Sequence, residues 1–212
     1  MHIVITGANR GIGQALAARY RDAGHEVTGT ARDSSEAVTL DVTDPDAQAT
    51  MAEMLKGRPV DLLVCNAGVY LDKGQSIDGY PADMWAQSFA ANVTGVFLTV
   101  QALLPNLKAA RGKVAIISSQ MASHTRAPGG SYIYRASKAA ALNLGRNLAT
   151  DLKPDGISVG IYHPGWVQTD MGGGAADIAV DQATGGLVDR FAELALDTTG
   201  CFQTWDGQDH PY

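Results

Sequence analysis

The first two dozen residues restrict the fold more than any other stretch. His2–Thr6 is a short apolar run that halts at Gly7. The chain then passes through Gly7-x-x-x-Gly11-x-Gly13 into a segment where Ile12, Leu16 and Tyr20 recur at every fourth position, as far as Gly24. A buried strand, a glycine-rich turn and a helix therefore follow one another directly. A unit of this kind is continued by a right-handed crossover that brings the next strand parallel to the first.

The rest of the chain keeps that alternation. Val27–Thr30, Val38–Leu40, Val60–Cys65, Lys113–Ser118, Ile157–Tyr162 and Cys201–Thr204 read as strands. Between them lie helical patterns. One starts at Asp44-Pro45, with proline in the first turn, and runs to about Lys56. Another carries the apolar stripe Trp85, Phe89, Val93, Val96, Val100, Leu103 and Leu107 as one long helix,. Tyr132–Leu152 and Asp181–Leu196 complete the set, with a loop over Gly68–Pro81 and a glycine-rich stretch over Met171–Ala176. The pattern predicts an α/β protein: a Rossmann-like doubly wound parallel sheet of about seven strands with helices on both faces. No repeat or linker interrupts it, so residues 1–212 are expected to form a single domain.

Composition narrows the function. Hydrophobic residues make up 45% of the chain, enough for a globular core, and the net charge is −6 (16 basic against 22 acidic residues),. An acidic chain without basic runs argues against nucleic acid and anionic membrane as partners. The first strand begins almost at Met1, and no apolar run approaches the ~20 residues of a membrane span, so a cytoplasmic location is expected. Cys65 and Cys201 form no metal-ligand cluster,.

The glycine-rich turn has the context of a nucleotide site. Glycine permits the tight turn and the close approach of backbone to a pyrophosphate, and the helix behind it offers free N–H groups and a positive dipole end. Gly7, Asn9, Arg10, Gly11, Ile12 and Gly13 are the candidate cradle. Far along the chain, Tyr134 and Lys138 stand one helical turn apart,. A phenol beside an ammonium can serve as an acid/base pair, because the neighbouring cation favours phenolate.

Together these residues resemble the classical short-chain dehydrogenase/reductase superfamily nearly end to end. Thr6–Gly13 is similar to its cofactor loop, and Asp41-Val42 to its adenine-contacting pair. Asn66-Ala67-Gly68 resembles its Asn-Asn-Ala-Gly, with Cys65 where many members carry Asn. Asn92 matches its helix asparagine, Ile117-Ser118-Ser119 its serine-bearing strand, and Tyr134 with Lys138 its Tyr-x-x-x-Lys. Pro164, Gly165, Val167 and Thr169 match the loop that meets the nicotinamide. The stretches Ser118–Ser123 and Gly129–Arg135 resemble the small carbonyl-reductase-like group. The span from Ser119 to Tyr134 is two residues longer than the family's usual one, so Ser118 and Ser123 stand as rivals to Ser119. Ser119 is preferred because it ends the strand, where the site of a doubly wound sheet opens.

The resemblance implies an NAD(P)(H)-dependent oxidoreductase that interconverts a carbonyl and a secondary alcohol. Tyr134 would be its general acid/base and Ser119 its hydrogen bond to the substrate oxygen. Lys138 would hold the nicotinamide ribose, and Asn92 a water that relays protons to Lys138. It also implies a homodimer or homotetramer. For the cofactor, Thr30-Ala31-Arg32 puts a cation where an acid would accept a ribose 2′-OH, and Arg10 adds a second,. NADP(H) is therefore the expected preference, with NAD(H) left open by Asp33. Gln120, Met121, His124, Trp166 and Met171 are candidate pocket residues for a modestly apolar small molecule. The alternative of a different class is a binding protein that senses the dinucleotide without turnover.

Overall fold

Seven strands, all parallel, lie in the order β3-β2-β1-β4-β5-β6-β7. They are His2–Thr6 (β1), Glu26–Ala31 (β2), Val38–Thr39 (β3), Leu62–Cys65 (β4), Lys113–Ile117 (β5), Ser158–His163 (β6) and Phe202–Thr204 (β7). The computed structural model describes residues 1–212. The central strands β1, β4 and β6 are buried at every position, as expected of a parallel sheet covered on both faces.

Period-two alternation sorts the side chains into two cores. Ile3, Ile5, Val64, Ala115, Ile117 and Tyr162 face Gly11–Asp22 (α1) and the helix nearest the C-terminus. Val4, Leu63, Cys65, Val114, Ile116 and Ile161 face the other way, onto the larger cluster built by the remaining helices. Each valine, leucine or isoleucine among them contributes ~1.5–3 kcal/mol on burial. Pro45–Met54 (α2) starts as the sequence leads one to expect: Asp44 accepts from the Asp46 amide at 2.9 Å and proline occupies the first turn. Tyr132–Leu152 is helical over the full expected range, and Val180–Glu193 forms the helix before β7.

One expectation is corrected. The apolar stripe from Trp85 to Leu107 does not lie on a single helix. It divides into Ala82–Phe89 (α3), a π-helical turn at Ala90–Thr94, Gly95–Ala102 (α4) and Leu104–Ala110 (α5). The axis bends by 58° before α5. Pro105 accounts for the bend, because proline fits the first turn of a helix and not its interior. The π turn is a local insertion that leaves the apolar spacing almost unchanged. With α3 to α5 placed, Tyr132–Leu152 is α6 and Val180–Glu193 is α7. No single helix is long and apolar enough to cross a membrane.

The strand order reverses between β1 and β4, so their carboxyl ends flank the crevice where ligands bind in open α/β sheets. Gly7 and Asn66 stand on its two sides.

Candidate active site

The glycine-rich turn is clamped from across the crevice. Asn66 donates from Nδ2 to the carbonyls of Thr6 and Gly7, both at 3.0 Å. Thr6 Oγ1 accepts from the amides of Asn66 and Ala67, again at 3.0 Å. Gly7 and Gly11 adopt φ of +67° and +54°, which favours glycine,. A Cβ on Gly13 would lie 2.2 Å from the Gly7 carbonyl oxygen and 2.5 Å from Asn66 Nδ2. Arg10, at the head of α1, gives no side-chain cap, and the first turn holds no acid. The leading amides of α1, from Gly11 to Gly13, are thus left for an outside acceptor.

The loop after β6 closes on the same turn. Gly165 has φ of +88°, and Val167 pairs with Ile178 as an isolated parallel bridge. The Thr169 methyl lies 3.4 Å from where a Gly11 Cβ would stand. Arg10 pairs with Asp170 at 3.1 Å, both side chains being well exposed. Arg32 forms no ion pair. Asp41 folds its carboxylate back onto its own loop, accepting from Thr43 N at 2.9 Å and Thr43 Oγ1 at 2.8 Å. Those bonds, the amide's foremost, hold it below the usual carboxylate range. Val42 is buried against Gly95, whose added Cβ would touch it at 2.8 Å.

Tyr134 and Lys138 are both buried on α6. Lys138 Nζ lies 5.7 Å from the Tyr134 ring centroid and donates to the Ile117 carbonyl, at the end of β5, at 3.0 Å. Of the three serines, Ser119 is the one that bears on the acidity of Tyr134. Its Oγ accepts from Met121 N at 3.1 Å, and its influence pulls the Tyr134 pKa down. Ser118 instead donates to the Lys138 carbonyl at 3.3 Å, and Ser123 bonds to Thr125 at 2.8 Å. Asn92 sits in the π turn. Its Oδ1 accepts from Val69 N at 2.8 Å, while Nδ2 donates to Val69 O and Ser137 Oγ, each at 2.9 Å. A Cβ on Gly68 would lie 2.9 Å from Asn92 Oδ1 and 3.5 Å from Lys138 Nζ, so Gly68 leaves the space between them open.

The acidities depart from the expected tuning. Burial pushes the Tyr134 phenol up to about 12 despite the opposing effect of Ser119, and it lowers the Lys138 ammonium to about 8. In the free protein, loss of hydration is the foremost cause of the shift at both groups,, so Tyr134 keeps its proton.

Two residues here carry no local sequence signal. Tyr70 stacks on Tyr134 with ring centroids 4.2 Å apart and planes at 21°. Asp72, fully buried, accepts from the amides of Ile133 and Tyr134. Of the expected pocket residues, Gln120 and Met121 form a 3-10 turn beside Ser119, His124 is exposed, and Trp166 and Met171 leave apolar surface exposed on the loop after β6.

Comparison with known proteins agrees with this fold. The short chain dehydrogenase family model matches residues 1–177. The 1-hydroxy-2-glutathionyl-2-methyl-3-butene dehydrogenase of Rhodococcus sp. (strain AD45) is 33% identical, covering 97% of this chain and 96% of its own. The NADPH-bound carbonyl reductase from chicken fatty liver superposes with a TM-score of 0.90 at 30% identity, over 100% of this chain and 98% of that one. The carbonyl reductase Sniffer of D. melanogaster gives 0.92 at 26% identity, over 100% and 99%. With a nucleotide crevice and a buried Tyr–Lys pair in one chain, and a family model over most of its length, the chain belongs to the short chain dehydrogenase family and is an NAD(P)-dependent oxidoreductase.

Proposed function

We propose that this protein is an NADP(H)-preferring carbonyl reductase of small, modestly apolar substrates, with Tyr134, Lys138, Ser119 and Asn92 as its working residues. The observation that carries the reading is the buried Tyr134–Lys138 pair, beside Ser119 at the carboxyl end of β5.

The residues fit a dinucleotide. The uncapped head of α1, the room left at Gly13 and the clamp by Asn66 form a cradle for a pyrophosphate,. Gly7, Asn9, Arg10, Gly11, Ile12 and Gly13 would line it. Asp41, Val42, Asn66, Ala67 and Gly68 would flank the adenosine half, and Pro164, Gly165, Val167 and Thr169 the nicotinamide half. The bound cofactor supplies or accepts hydride. Ser119 then orients the substrate oxygen by a hydrogen bond and supports the charge that develops on it. Tyr134 gives that oxygen its proton, which completes the alcohol. Lys138, still largely cationic at neutral pH, is placed to hold the ribose and to favour the phenolate left behind. Asn92 Oδ1 keeps a second lone pair, and the gap at Gly68 lets a water bridge it to Lys138 and return the proton.

Arg32 supports the cofactor preference, since β2 ends in Ala31 rather than an acid and Arg32 is committed to no carboxylate,. The nearby acid, Glu36, is paired with Arg21 at 3.0 Å. The unpaired thiols Cys65 and Cys201 agree with a cytoplasmic location,, and a homodimer or homotetramer is the proposed assembly.

A panel of aldehydes and ketones, followed by cofactor absorbance with NADPH and NADH in parallel, tests the reading. Turnover with NADPH is expected, lost in Tyr134→Phe while cofactor still binds. In Arg32→Ala the preference for NADPH should fall by about tenfold or more. Near-normal turnover by Tyr134→Phe refutes the acid assignment. Equal efficiency with NADH, or an unchanged preference in Arg32→Ala, refutes the cofactor assignment.

A further inference from the structure

Helix α6 carries the proton donor in its first turn, yet nothing in its own sequence caps it. Ser131, just before it, has φ of +48° and makes no side-chain cap, and the first turn holds no acidic residue. The cap arrives from the loop after β4. Asp72, with no exposed surface, accepts from Ile133 N at 2.9 Å (Oδ2) and from Tyr134 N at 3.2 Å (Oδ1) and 3.3 Å (Oδ2). Tyr70, two residues earlier, bonds through its hydroxyl to Ser131 Oγ at 2.5 Å and lays its ring on Tyr134.

We propose that Asp72 is a positioning residue of the reaction: its buried carboxylate fixes the backbone of Tyr134 and so aims the phenol at the substrate oxygen. This rests on Tyr134 as proton donor. A carboxylate aimed at the first amides of a helix satisfies orphan donors and opposes the helix dipole. Bonds from N–H groups to a charged acceptor are among the stronger ones. The same charge bears on the phenol. The groups that bear on Tyr134 are Lys138 on α6, Ser119 just before the 3-10 turn, and Tyr70 and Asp72 on the loop after β4. Tyr70 and Asp72 both disfavour phenolate. Asp72 therefore holds the donor in place and helps to keep its proton on.

Two substitutions separate these effects. Asp72→Asn keeps one acceptor oxygen and removes the charge. Asp72→Glu keeps the charge on a longer arm that overshoots the amides. Hydrogen exchange at Ile133 and Tyr134 is expected to quicken by about tenfold in both, with the middle of α6 unchanged. Unaltered exchange overturns the cap. Tyrosinate absorbance, measured with oxidised cofactor present and the Tyr134→Phe background subtracted, should show a midpoint lower by about half a pH unit in Asp72→Asn and unmoved in Asp72→Glu. An unmoved midpoint in Asp72→Asn overturns the electrostatic part. Turnover should fall by about tenfold in both variants with KM held within about twofold, because substrate binds while the donor is misaligned. Wild-type kcat in either variant overturns the positioning role. A wild-type protein inactive on every carbonyl would sink the redox reading instead, and the exchange and absorbance measurements would still decide for or against Asp72.

Discussion

Burial works against the charged forms of Tyr134 and Lys138, and the direction of each shift has consequences. Lys138 drops to about 8 because it lies in the interior. Its cation is therefore lost as pH rises through about 8, and reduction should decline there with a single-proton limb; a profile flat well beyond pH 9 contradicts this. For stability, the unfolded lysine holds its proton to ~10.4. Between about 8 and that value the unfolded chain binds more protons, so this residue makes the fold more stable with rising pH,. His163, at the end of β6, behaves alike at lower pH. Burial lowers it to about 4, with Arg126 and His210 acting in the same sense and Asp206 against. Its Nδ1 is buried without a partner. The unfolded histidine protonates near ~6.5, so stability should fall as pH drops from there toward about 4, by about 1.4 kcal/mol per pH unit,. Chemical denaturation of wild type and His163→Asn across that range checks it. The extra slope should vanish in the variant, and equal slopes would rule out His163 as its source.

At the scale of elements, the glycine-rich turn is fixed by contact as much as by conformation. Gly13→Ala would drive a methyl group into the Gly7 carbonyl oxygen and Asn66. A loss of roughly 1–3 kcal/mol in unfolding free energy is expected, together with loss of the stabilisation that NADPH gives to wild type; thermal unfolding with and without cofactor measures both. Undiminished NADPH stabilisation would show that the turn is not the cradle. This turn was legible because its determinants are local: a strand, three glycines and a helix in immediate succession. The range of α6 was legible for the same reason, since Leu144, Leu148 and Leu152 repeat on one side. The broken α3–α5 rod was not. Its apolar spacing is compatible with one helix, and the π turn at Asn92 is held from outside, by Val69 and Ser137. Asp72 and Tyr70 were illegible for a related reason. Each meets the start of α6 from across 61 positions of chain, and no periodicity encodes such a meeting.

For the molecule as a whole, the helical layers leave some apolar surface uncovered. Phe97 on α4 is 41% exposed, while Gly95, Val96, Thr99 and Val100 of that helix are buried. Light scattering after gel filtration should give the mass of a homodimer or homotetramer, and Phe97→Glu should lower it if α4 lies in the contact. A monomer at micromolar concentration would exclude the assembly. The remote cap on α6 reaches further. Since β4 and the loop behind it belong to the cradle-forming part of the chain, a fragment beginning after that loop would be born with a frayed first turn and a wandering phenol. With Tyr134 as the proposed proton donor, its placement thus depends on a loop from the earlier part of the polypeptide, the part that also lines the nucleotide crevice.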